Sequence, residues 1–87
     1  MDAQELVAWN LRRIRVARGL SQEKLAVDAA IDVTYVSRLE RVLENPTVSV
    51  LDRLAAALDA KIAEFFAPWP AGEPPPKPLQ PGRRPKR

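Results

Sequence analysis

Apolar residues recur at helical spacing from the start of the chain to about residue 66. Val7, Leu11 and Ile14 stand at i, i+4 and i+7, one face of a first helix. Gly19 follows Arg18 as a left-handed stop. Ser21 caps a second helix with Leu25, Ala26 and Ala29 inward, although Lys24 stands where a full capping box carries Glu or Gln. Asp32 caps a third helix with Val36 and Leu39 inward. Asn45-Pro46 marks a loop, and Thr47 caps a fourth helix carrying Leu51, Leu54, Ala55 and Leu58 at helical spacing. A fifth, short helix is predicted over 60–66, with Ile62 and one of Phe65 or Phe66 inward, and Pro68 stops it. No run alternates with period two. The expected fold is all-α: a compact five-helix domain over residues 1–67.

The pattern ends there. Eight of the nine prolines lie after residue 67, and too few apolar groups remain for a core. Residues 68–87 are expected to form a disordered, basic tail with polyproline character around 74–78. The formal charge of +3 is therefore misleading. Residues 1–67 carry nine basic and ten acidic side chains, whereas 68–87 carry five basic and one acidic. Nucleic-acid binding by the folded part must rest on local placement of charge, not on its sum.

The chain contains neither Cys nor His. That removes disulfides, thiolate metal sites, the commonest general base and the commonest metal ligand. No Gly-rich phosphate loop or carboxylate pair with an obvious cleft appears, so the expectation is no enzyme, no metal and no cofactor. No run is long and apolar enough for a membrane helix. The acidic N-terminus does not resemble a targeting peptide, so a cytoplasmic chain is expected.

Two short capped helices joined by a tight turn, the second with a polar outer face, match the layout that places a helix in the DNA major groove. On a helix starting near Val33, the outward set is Val33, Thr34, Ser37, Arg38 and Arg41. Arg38 is assigned the bidentate grip on guanine O6 and N7, Thr34 and Ser37 hydrogen bonds to base edges or phosphate, and Val33 contact with a thymine methyl. Arg41 is assigned to phosphate. Gln22, in the first turn of the second helix, stands where unpaired N–H groups and the helix dipole suit a phosphate oxygen. Taken alone, such a face is ordinary solvated surface; the surrounding frame of caps, turn and Asn-Pro loop makes it specific.

Residues 7–66 resemble the phage-repressor type of helix-turn-helix domain, the Xre family. The matching stretches are Asn10-Leu11-Arg12-Arg13-Ile14-Arg15, Arg18 to Ala26, Tyr35 to Arg41, Asn45-Pro46-Thr47 and Leu54 to Leu58. The resemblance implies a five-helix bundle that regulates transcription as a homodimer on a two-fold site in double-stranded DNA. It implies phosphate contacts from Gln22 and Asn45, base-facing Val33, Thr34, Ser37 and Arg38, and an Arg15–Glu40 ion pair tying the first helix to the third. No small-molecule ligand domain is expected after the helices.

Three positions depart from the family, which usually has Gly where this chain has Ala30, Val42 and Asp59. A β-branched residue at positive φ is an outlier, so either Val42 avoids that conformation or the loop carries strain. Trp9, Trp69 and Phe66 are large apolar groups that the core pattern does not fully use; Trp9 is either partly covered surface or a dimer contact, and one of Phe65 and Phe66 is free to meet a second subunit. The cluster Arg83-Arg84-Pro85-Lys86-Arg87 either aids solubility or adds nonspecific phosphate contacts. The alternative function is an antitoxin-like or adaptor module that uses the same fold and the Pro-rich tail to hold a protein partner.

Overall fold

A computed structural model describes residues 1–70 and 72–74. Four α-helices are present: α1 (Ala3–Ala17), α2 (Gln22–Ala29), α3 (Val33–Glu40) and α4 (Val48–Leu58). The fifth predicted helix is instead a 3₁₀ helix, Ile62–Phe66. The physical reason is length. Lys61 and Ala67, the latter preceding Pro68, are both extended, which leaves only Ile62–Phe66 between them, and 3₁₀ geometry serves short pieces. No strand occurs among the described residues. The polyproline and basic-cluster readings of the tail lie outside them.

Each of the four α-helices begins on a side-chain cap. Asp2 accepts from the Glu5 N–H at 2.8 Å and Glu5 reaches back to the Asp2 N–H at 3.3 Å, a complete capping box. Ser21 accepts from Lys24 N–H, Asp32 from Thr34 N–H and Thr47 from Val50 N–H. The apolar stripes of the four helices converge on one core containing Leu11, Leu25, Val36, Leu39, Leu54 and Leu58, with Phe65 completing it from the 3₁₀ helix. Asn10 is fully buried beside this core. Its amide donates to the carbonyls of Phe65 (3.0 Å) and Ala67 (2.9 Å), and its oxygen accepts from Arg13. The end of the chain's packed part is thereby fastened to α1. Packing continues to Trp69, past the boundary drawn at residue 67: its ring meets Trp9 edge-on at 5.4 Å. Trp9 therefore has an intrachain partner.

The three positions without glycine are all left-handed, with φ of 59° at Ala30, 62° at Val42 and 53° at Asp59. In each case a side chain from a distant helix holds the carbonyl of that residue. Arg53 donates to Ala30, Gln4 donates to Val42 at 3.3 Å, and Arg18 donates to Asp59 at 3.3 Å. Arg53 and Arg18 also reach the preceding carbonyls of Ala29 and Leu58, placing cations at the negative C-terminal ends of α2 and α4. The strain is greatest at Val42, where a branched Cβ meets a conformation that favours glycine. Val42→Gly is expected to stabilise the domain by about 1 kcal/mol, raising the melting temperature by about 4–8 °C. A thermal melt that falls instead would show that the packing of the Val42 side chain outweighs the strain.

Candidate nucleic-acid interface

The turn between α2 and α3 is short because the chain reverses at Ala30. Ile31 then drops, half-buried, against the core. Asp32 opens α3 immediately afterwards, its carboxylate 2.8 Å from the Thr34 N–H. With Val36, Leu39 and Glu40 buried, the helix turns Val33, Thr34 and Arg41 to the exterior, with Ser37 and Arg38 half-buried on the same side.

Beside that face lies a polar cluster around Glu40. Glu40 and Arg15 are 2% and 3% exposed and form a two-pronged ion pair: Arg15 Nε donates to Oε2 at 2.6 Å and Nη2 to Oε1 at 2.9 Å. The remaining Arg15 nitrogen donates to the Leu20 carbonyl at 2.8 Å. Arg12 lies 3.5 Å from Glu40 Oε1. Gln22 donates to Glu40 Oε1 at 3.1 Å. One carboxylate therefore joins α1, α2 and α3 and fixes the angle at which α3 is presented. Gln22, assigned from sequence to a phosphate, spends its amide on this cluster while remaining half-buried at the start of α2.

At the far end of α3, Arg38 is engaged. Its Nε donates to Glu44 Oε2 at 2.7 Å and its Nη2 to the Leu43 carbonyl at 3.3 Å. Gln4 steadies the same loop from behind, donating to the carbonyls of Val42 and, at 3.0 Å, Glu44. Tyr35 sits close enough that burial first, and the Glu44 carboxylate second, push its hydroxyl pKa above the ordinary value. Asn45 is exposed at the edge of a shallow, mainly apolar cleft lined by Val7, Pro46, Leu51 and Phe66. Arg41 stands exposed at the end of α3. No His, Cys, Asp or Glu cluster suited to a metal ion occurs among the described residues. No helix there is long and apolar enough to cross a membrane.

A sequence profile of the helix-turn-helix domain matches residues 6–65. The chain belongs to the phage-repressor (Xre) type of helix-turn-helix family. An HTH-type transcriptional regulator of Sinorhizobium fredii is 40% identical over 68 residues, 78% of this chain and 88% of that protein. The crystal structure of a hypothetical transcription factor from Neisseria superposes with a TM-score of 0.74 at 39% identity, covering 77% of each chain. That of the restriction-modification controller protein C.AhdI from Aeromonas hydrophila gives 0.71 at 38% identity, covering 72% of this chain and 96% of that one. The Neisseria meningitidis relative is longer, and the match spans 63% of it.

Within this helix-turn-helix domain, sequence reasoning passed over Gln4, Arg12 and Glu44. Nothing in local spacing marks Gln4, whose loop contacts lie 38 and 40 positions away. Arg12 shares its turn with Arg15, and Glu44 follows Arg38 by six residues, beyond the spacing at which helical side chains are read as neighbours.

Proposed function

We propose that this chain, a DNA-binding transcriptional regulator, reads a two-fold site in double-stranded DNA as a homodimer, with α3 in the major groove. The observation that carries the reading is the construction of α3. Its last residue, the buried Glu40, clamps it to two other helices, while Val33 and Thr34 are exposed and Ser37 and Arg38 half-buried along its outer face. A helix held at a fixed angle by a buried, fully paired carboxylate can keep base-edge geometry, which tolerates little rotation. Arg38 reads guanine, Thr34 and Ser37 bond base edges, and Val33, 37% exposed, meets a thymine methyl. Arg41 and Asn45 hold phosphates; Gln22 joins them if its amide leaves Glu40. Phe66 and Val48, 46% and 75% exposed, offer apolar surface for a second copy. A dimer would set its two α3 helices about 34 Å apart, one turn of DNA. The homologues favour regulation over the alternative of a partner-binding module.

The test is selection of binding sites from a random duplex pool by the purified chain. Affinity for the selected site and for a scrambled duplex is then measured across a salt series. A two-fold consensus, bound preferentially at higher salt, is the expected result. Arg38→Ala should lose about 1–3 kcal/mol of discrimination and keep weak, salt-sensitive binding. Equal loss on both duplexes would remove Arg38 from base reading. Absence of any enriched sequence would overturn the proposal.

A further inference from the structure

We infer that Glu44 is a positioning residue that sets the selectivity of Arg38: it holds one edge of the guanidinium and places a carboxylate where any bound duplex must meet it. The inference rests on the reading of α3 as the base-contacting helix. A guanidinium has five N–H donors in a rigid plane. Arg38 spends Nε–H on Glu44 and one Nη2–H on the Leu43 carbonyl, both along the same side of that plane. The donors left are the pair on Nη1 and the second on Nη2; one of the former and the latter form the terminal edge. That edge can still meet guanine O6 and N7 with two parallel bonds. The Arg38 side chain is 43% exposed and that of Glu44 29%, so the pair lies at the surface and not within the core.

The anchoring of Glu44 makes the arrangement directional. Its carbonyl and that of Val42 are tied to α1 by Gln4, and the loop turns at the left-handed Val42. The backbone that carries the carboxylate is thus fixed from the protein side, and Arg38 is held against that carboxylate. Repulsion between Glu44 and phosphate is felt on every sequence. The bidentate guanine bond that offsets it forms only at the right base. A free arginine would instead swing to the nearest phosphate and bind all duplexes alike. Glu44 therefore lowers nonspecific affinity while pre-orienting the specific contact.

The test uses the full chain with the duplex selected above and a scrambled duplex, comparing wild type, Glu44→Gln, Arg38→Ala and the double variant. Thermal melts verify that each is folded. Glu44→Gln is expected to bind scrambled DNA more tightly, to steepen the salt dependence, and to reduce the selected-to-scrambled ratio about fivefold or more. In the Arg38→Ala background the same change should raise affinity for both duplexes equally and leave the ratio unmoved. An unchanged ratio for Glu44→Gln would overturn the inference. So would an equal fall of the ratio with Arg38 absent, since Glu44 would then act without it. If wild type itself shows no preference, the base-reading role of α3 fails first, and the wild-type ratio identifies that case before any variant is compared.

Discussion

Arg15→Ala is expected to cost about 3–5 kcal/mol of folding stability, because it leaves the Glu40 carboxylate in the interior without its principal partner. The magnitude follows from burial. The Glu40 side chain is fully enclosed, and Gln22 and Arg12, at 3.1 and 3.5 Å, cannot replace a bidentate guanidinium. For a domain of this size such a loss lowers the melting temperature by on the order of 15 °C or more. It is also a large share of a total that for small domains is about 5–15 kcal/mol. Replacing both partners with Met should cost less than replacing Arg15 alone, since no charge is then stranded. Denaturant unfolding of the single and double variants checks both statements. A single variant as stable as wild type would mean that water reaches Glu40. Any Arg15→Ala protein that remains folded should also lose DNA selectivity, because the same carboxylate sets the angle of α3.

Phe65→Ala is expected to cost a similar amount, about 3–5 kcal/mol, by opening a cavity where the 3₁₀ helix meets α1. Phe65 is completely buried, whereas its neighbour Phe66 is 46% exposed. Phe66→Ala should therefore change monomer stability by less than about 1 kcal/mol. Trp9 and Trp69 supply a local reporter. Their edge-on contact depends on the segment that Asn10 holds at Phe65 and Ala67, so Phe65→Ala should shift tryptophan emission to the red at temperatures where α-helical signal persists. Loss of both signals together would show that the 3₁₀ segment is part of one cooperative unit. A stable Phe65→Ala protein with unaltered emission would contradict the packing described for this end of the chain.

The helices and their inner faces were legible because a 3.6-residue period is a local property. The residues from Val7 and Leu11 through Leu54 and Leu58 that the spacing turned inward are the ones the core buries. The caps at Ser21, Asp32 and Thr47 were legible for the same reason. Asn10 was overlooked as a structural residue although its position gives it away: it stands three residues after Val7 and four before Ile14, on the buried side of α1. Which of Phe65 and Phe66 packs inward was not decidable, since adjacent residues in a short helix differ only in how the preceding turn approaches. On the candidate interface, the outward set of α3 followed from periodicity, but the commitment of Arg38 to Glu44 and of Gln22 to Glu40 did not. Both depend on how separate elements meet. The resemblance to the family also foresaw a difficulty at Ala30, Val42 and Asp59, where that family usually has glycine, but not its resolution, because the braces come from 23 to 41 residues away.

Those braces bear on how far the recognition unit can be moved. A segment comprising only α2, its turn and α3 would carry the outward side chains intact but leave Arg53, Gln4 and Arg15 behind. Its reversal at Ala30 would lose the cation that holds it, and Glu40 would keep Gln22 but lose both of its guanidinium partners, while the Val42 turn that follows α3 would have no amide to brace it. Transplanting the proposed base-reading face onto another scaffold therefore requires more than copying α3. The recipient must supply, at the matching places, a guanidinium for the turn, an amide for the loop and a partner for the glutamate, or have glycine at the two left-handed joints.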